Sequence, residues 1–219
     1  MTTRGRFPGR NASFSTERGF VWHRVAKTGT RSLHALLEAE VADYEYLIRK
    51  QPPPPAFDEL LATTCFRFTF VRNPWDRLVS GWRNKFVTGR KAESFLAQLS
   101  DTATADELAV CREDFGAFLR LLPDSRLFER NVHFQPQATI LRDVELDFVG
   151  RFERYADDVG HVLSTIGIEH TSESIPHRNR TSRDQPHYSS YYDDAARDRV
   201  GELYCADVAR WGYSFESTP

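Results

Sequence analysis

Two clusters of residues in this sequence have the types and spacing that bind anions. The first is Lys27-Thr28-Gly29-Thr30-Arg31-Ser32. A glycine permits close backbone approach, successive N–H groups form an anion cradle, and a helix start adds partial positive charge. Thr28, Thr30 and Ser32 bring hydroxyls, and Lys27 brings a compact, mobile cation. Only Lys27, Lys50, Lys85 and Lys91 are lysines among 29 basic residues, so one ahead of such a glycine is informative. The chemistry is that of a phosphate loop, although not of the GxxxxGK[ST] order, because the lysine precedes the glycine. An N-cap turn without a ligand is the competing reading, since Thr and Ser commonly begin helices. The second cluster lies in Phe70-Val71-Arg72-Asn73-Pro74-Trp75-Asp76-Arg77-Leu78-Val79-Ser80. The fork of Arg72 suits a phosphate with free oxygens, and the Ser80 hydroxyl can complete its shell. A structural salt bridge from Arg72 to Asp76 competes with that reading. Two anion sites together suit a ligand with a phosphate at each end.

Such clusters need strands that end at them and helices that start from them. Residues 19–25 (GFVWHRV) read as a buried strand, and residues 31–40 follow with the apolar spacing of a helix. Residues 65–71 (CFRFTFV) read as a second strand, broken by Asn73-Pro74 before a helix over 75–86. The proline run Gln51 to Pro55 predicts an extended surface connector. Residues 91–122 predict largely helix, 131–137 a loop, 146–150 a third strand and 157–166 another helix. A long polar loop over 171–190 and a closing helix over 191–211 complete the chain. Alternating strands and helices predict an α/β fold with a central parallel sheet flanked by helices, whose ligand end lies beyond the carboxyl ends of the strands. A flexible segment over 1–18 and one domain over 19–219 are expected.

Charge segregates along the chain although the net value is only −2. Residues 1–34 and 65–91 each hold seven basic side chains and one acidic one, in an otherwise acidic chain. Two basic islands point to one concentrated anion, with solvated faces as the bland alternative. No apolar run approaches the roughly 20 residues of a membrane span, and the polar start carries no apolar leader core. Three widely spaced cysteines, Cys65, Cys111 and Cys205, argue against a disulfide framework or a structural zinc. A cytoplasmic protein is expected. Interleaved Trp75, Arg77, Trp82 and Arg83 raise a nucleic-acid surface, but helical spacing favours core packing for those tryptophans. No nucleic-acid partner is expected.

The strings AKTGTRS and FVRNPWDRLVSGWRNKF resemble the 5′-phosphosulfate loop and the 3′-phosphate site of sulfotransferases that use 3′-phosphoadenosine 5′-phosphosulfate (PAPS). The second string is similar to that of carbohydrate sulfotransferases, the family 2 type. His133-Phe134-Gln135-Pro136-Gln137, residues 147–153 (DFVGRFE), Pro176-His177-Arg178-Asn179-Arg180 and Trp211-Gly212-Tyr213-Ser214-Phe215 resemble further landmarks, so the likeness covers about residues 19 to 215. The resemblance implies a P-loop NTPase-like three-layer fold; the eukaryotic carbohydrate enzymes of this type are membrane-anchored Golgi proteins, and the departure of this sequence from their anchor and disulfide features makes a compact, bacterial-type soluble member the expectation. It implies transfer of a sulfuryl group from PAPS to an acceptor hydroxyl of a carbohydrate or glycoconjugate, with no metal. Lys27, Thr28, Gly29, Thr30, Arg31 and Ser32 would hold the 5′ end, with Lys27 the catalyst at the leaving oxygen. Arg72 and Ser80 would hold the 3′-phosphate, and Arg180, in the basic loop 178–181, would close over the nucleotide.

An acceptor hydroxyl needs a base with a pKa near the working pH, which favours histidine. His133 is the expected base, with Glu153, His23 and His177 as alternatives. Arg83 and Lys85 either meet an anionic acceptor or solvate their helix. A P-loop-type nucleotide kinase and a non-catalytic nucleotide- or polyanion-binding relative are the alternative functions.

Overall fold

The computed structural model describes residues 11–47, 52–101, 103–171, 175 and 186–216 of the 219-residue chain. Its strands are β1 (Ala12–Ser15), β2 (Phe20–His23), β3 (Glu45–Tyr46), β4 (Phe66–Val71) and β5 (Phe148–Arg151). The first helices are α1 (Thr30–Glu40), α2 (Pro55–Leu61), α3 (Pro74–Trp82), α4 (Ala92–Leu99), α5 (Ala105–Val110) and α6 (Phe115–Leu121). They are followed by α7 (Arg126–Arg130), α8 (Gln137–Ile140), α9 (Tyr155–Thr165), α10 (Asp194–Leu203) and α11 (Cys205–Trp211). The described residues form two compact units, one of residues 11–71 and 140–175, the other of 72–139 and 186–216.

The first unit is α/β. Its five-stranded sheet has the order β3-β1-β2-β4-β5. β4 pairs in parallel with β2 and with β5, whereas β1 runs antiparallel to both β2 and β3. The expected parallel sheet is therefore correct for three strands and wrong for two. The cause is local: β1 and β2 are joined by only Thr16 to Gly19, with Gly19 at φ 62°, and so short a turn permits only an antiparallel pair. Asp43 pins this turn, accepting from the Thr16 and Glu17 amides at 2.8 and 3.0 Å and from the Ser15 and Thr16 hydroxyls. Residues 12–15, expected within a flexible segment, are thus an interior strand. Its sequence, ASFS, alternates too weakly to read as one, yet all four residues are buried.

Both faces of this sheet are covered by helices. Phe20, Trp22, Phe68 and Phe70 pack with Leu33 and Leu37 of α1 and with Val159, Val162 and Leu163 of α9. Ala12, Phe14 and Val21, on the opposite face, pack with Phe57 and Leu60 of α2. Burial on both faces explains why β2 reads as a near-continuous apolar run, whereas β4 alternates, with Phe66, Phe68 and Phe70 on the face toward α1 and α9. The proline run ends differently from expectation: Pro55 is the first residue of α2, with Pro54 as its N-cap. Proline is tolerated there because the first helical N–H has no intrahelical acceptor.

The described residues of the second unit are helical, with no strand among them. Asn73 caps α3 by accepting from the Trp75 and Asp76 amides, and Pro74 begins it. α3 then runs into a π-helical turn, Arg83–Val87. Trp75, Leu78, Val79, Trp82 and Phe86 face inward, with Trp82 against Phe115 and Phe86 against Phe118 at ring separations of 5.4 and 5.0 Å. Core packing, not a nucleic-acid surface, therefore accounts for the tryptophans. The expected closing helix is two, because the backbone leaves helical geometry at Tyr204. A one-residue break leaves the apolar period intact, so spacing alone does not reveal it.

Candidate active site

In the first unit, residues 24–29 carry the chain from β2 to α1. Gly29 is the N-cap of α1 with φ 81°, and no side chain caps that helix. The Gly29 carbonyl accepts from the Ser32 and Leu33 amides, so the earlier amides of the turn, those of Thr30 and Arg31, are the ones a helix start offers to an anion. The Thr28 and Thr30 hydroxyls both donate to the Val25 carbonyl, at 2.8 and 2.9 Å. They brace the loop from within, so what these residues contribute toward a ligand is backbone N–H. Lys27 also has a left-handed backbone, at φ 75°. Ser32 is buried, while Arg31 is exposed on the first turn. A Cβ on residue 29 would stand 2.3 Å from a ring carbon of Tyr155, whose hydroxyl donates to the Gly29 carbonyl at 2.9 Å. Glycine is thus required twice, by its φ and by the ring beneath it.

In the second unit, Arg72 follows β4 directly in the chain. Its Nε and Nη2 donate to the two carboxylate oxygens of Asp76 at 2.8 and 2.7 Å. The salt bridge weighed above is present. A guanidinium carries five N–H donors in a fixed fork, so a bidentate partner at one edge also sets the direction of the other. Ser80 lies one further turn along α3 from Asp76, on the same helix face. The Arg72 backbone is held as well: its N–H donates to Gln137 Oε1 at 2.9 Å, and its carbonyl accepts from Gln137 Nε2 at 2.8 Å. Asp207 in turn accepts from the Gln137 and Ala138 amides and from Gln137 Nε2. Burial raises the Asp207 carboxyl above its ordinary pKa, against the pull of these bonds and of Arg77.

The loop with His133 belongs to the same unit. Arg77, 1% exposed, donates Nη1 to the Gln135 carbonyl and Nη2 to the Val132 carbonyl at 2.9 and 2.8 Å. Its desolvation lowers the guanidinium pKa, with Tyr204 and Asp207 opposing. Tyr204 donates to the Phe134 carbonyl at 2.6 Å, and the Phe134 ring is fully buried beside Phe118. His133 is half-buried; its amide donates to Asn131 Oδ1, and its ring meets Phe95 edge-on at 6.5 Å. A Cβ at position 81 would lie 3.2 Å from the His133 carbonyl, so Gly81 lets this loop approach α3 closely. Lys85 lies over the other partner of that contact, 5.1 Å from the Phe95 ring centre, and Arg83 lies over Tyr191.

Of the alternative bases, His23 is buried in β2, and burial, helped by Arg67, lowers its pKa to about 4. It is a core residue with a weak base. Glu153 is half-buried in the single 3-10 turn Phe152–Arg154 of the first unit. His177, Arg180 and the rest of 176–185 lie outside the described residues. Tyr155, Gln137, Asp207 and Arg77 were missed as site residues. Gln137 and Arg77 stood inside quoted motifs, whereas Tyr155 and Asp207 act across 126 and 70 positions of sequence and give no local signal. Among the described residues no group of three or more His, Cys, Asp or Glu could hold a metal ion, and no helix is long and apolar enough to cross a membrane.

An uncapped helix start after a parallel strand, entered through a lysine and a glycine with left-handed backbones, is an arrangement able to take an anion in an α/β protein. The family model described as the sulfotransferase family matches residues 10–214, and the chain belongs to that family. It is 28% identical to carbohydrate sulfotransferase 14 of Danio rerio over 169 residues, 70% of this chain and 45% of the relative. It is 31% identical to carbohydrate sulfotransferase 14 of Mus musculus over 112 residues, 46% of this chain and 28% of that one. Carbohydrate sulfotransferase 12 of Xenopus laevis is 25% identical over 166 residues, 67% of this chain and 40% of the relative. The chain thus spans less than half the length of these relatives. No solved structure gives a significant match.

Proposed function

We propose that this chain transfers the sulfuryl group of PAPS to a carbohydrate hydroxyl, on a P-loop-like fold. The observation that carries the reading is the uncapped start of α1, entered through Lys27 and Gly29 in left-handed conformations, in a chain of the sulfotransferase family. The names of the relatives support the carbohydrate acceptor. The residues fit the donor: the loop offers backbone amides and a cation, and the methyl-free Gly29 leaves its backbone open to close approach. PAPS supplies an activated sulfuryl group on a phosphate leaving group.

The roles follow from the chemistry of each side chain. The amides of Thr30 and Arg31, with the neighbouring loop, hold the 5′ end, and Lys27 Nζ offsets negative charge on the departing oxygen. Such fixed charge supplies the stabilisation that magnesium gives in phosphoryl transfer. Arg72, oriented by Asp76, binds the 3′-phosphate with Ser80. His133 takes the acceptor proton on a ring nitrogen, which requires the neutral imidazole.

Calorimetry with adenosine 3′,5′-bisphosphate beside ATP and magnesium tests the donor. The expected outcome is tight binding of the bisphosphate alone, lost in Arg72→Ala; binding of ATP alone would make the kinase reading correct. His133→Ala is expected to keep that affinity while turnover of PAPS with a glycan panel falls about a hundredfold or more. Unchanged turnover would move the base to Glu153 or His177.

A further inference from the structure

We propose that Tyr155 is a positioning residue for the phosphate loop: by donating to the Gly29 carbonyl it fixes the direction of the Thr30 N–H that meets a 5′-phosphate. The inference rests on the reading of residues 27–32 as the 5′ site. In a planar trans peptide the carbonyl and the following N–H point in opposite directions. The Gly29–Thr30 peptide is of this kind, since the described residues contain no cis peptide bond. The Gly29 oxygen accepts from the Ser32 and Leu33 amides of α1 at 3.0 and 3.4 Å and, as its shortest bond, from the Tyr155 hydroxyl at 2.9 Å, so the Thr30 N–H is held pointing away from all three.

Three further observations make this a fitted part and not a chance contact. The Tyr155 ring fills the space where a Cβ of residue 29 would stand, at 2.3 Å. Phe70 and Phe152 pack against the same ring at 5.6 and 5.8 Å, so it is held on several sides. Burial drives the phenol well above the ordinary tyrosine range, outweighing the hydrogen bonds from Ser32 and Leu33, so it stays a protonated donor. Tyr155 also begins α9, so a helix of the core carries the loop's direction into the sheet packing.

The test is Tyr155→Phe, which keeps the ring and removes only the donor. Calorimetry compares adenosine 3′,5′-bisphosphate with adenosine 3′-monophosphate, which lacks the 5′ group. The dissociation constant of the bisphosphate is expected to rise about tenfold, the loss of one hydrogen bond to an aligned loop, while that of the monophosphate stays within about twofold. Equal weakening of both ligands, including loss of both through misfolding, would make Tyr155 a packing residue and overturn the proposal. Unchanged binding of both would also overturn it. If the unmodified protein binds the two nucleotides equally, the 5′ reading itself fails, and that result is seen before any variant is made.

Discussion

Lys27 is the one non-glycine among the described residues with a positive φ. A side chain in that conformation costs about 1–2 kcal/mol, and such strain persists where the surroundings impose it, characteristically at functional sites. The loop hence places an amine at a position that suits glycine better. Under the proposed mechanism Lys27→Ala is expected to fold and to lose transfer activity by about a hundredfold or more, since the charge proposed for the leaving oxygen is gone. Lys27→Gly is expected to be equally inactive yet more stable than Lys27→Ala by about 1 kcal/mol, because glycine adopts φ 75° freely. Turnover and thermal melts of the two variants check this pair. Wild-type-like turnover of either would remove Lys27 from the mechanism, and equal melting points would mean that the left-handed backbone is not retained.

At the scale of elements, the second unit spends buried polar groups on holding loops. Asp207, at the start of α11, fastens the start of α8, and Gln137 passes that hold to the Arg72 backbone. Removing the carboxylate in Asp207→Ala leaves buried donors without their acceptor, a cost of about 2–4 kcal/mol. Urea unfolding is expected to show that loss, and bisphosphate affinity is expected to weaken with it; full affinity would show that Arg72 needs no such brace. The strand, loop and helix units around β2 and β4 were legible in the sequence because each switches from a short β-rich stretch to helical spacing across a glycine or an Asn-Pro. The turn between β2 and α1, proposed here as the 5′ site, was legible as a turn for the same reason. β1 and β3 were not, being short and, in ASFS, half serine; nor was α2, hidden behind prolines. Tyr155 and Asp207 stayed hidden because hydrogen bonds between distant positions follow from packing, which no local pattern encodes.

Across the whole molecule, acid is expected to unfold the chain partly through one core imidazole. His23 has a folded pKa of about 4, against 6.5 for an exposed histidine, because burial disfavours its charged form. Between these values the unfolded chain binds a proton that the folded one refuses. Its stabilising contribution is complete above pH 6.5, falls by about 3 kcal/mol on acidification to pH 4, and changes no further below that. Urea midpoints measured from pH 4 to 7 are expected to show this slope, and His23→Asn to flatten it; parallel curves would assign the acid sensitivity elsewhere. The place of β1, between β3 and β2, bears on how the protein can be shortened. Trimming the chain to begin at residue 19 would remove an interior strand, open the apolar β2 as an edge and strand Glu45–Tyr46 without a partner. An open apolar edge pairs with other chains. A truncation at residue 19 is therefore expected to yield aggregates in place of a smaller folded protein, and a soluble, monodisperse product on size exclusion would refute that.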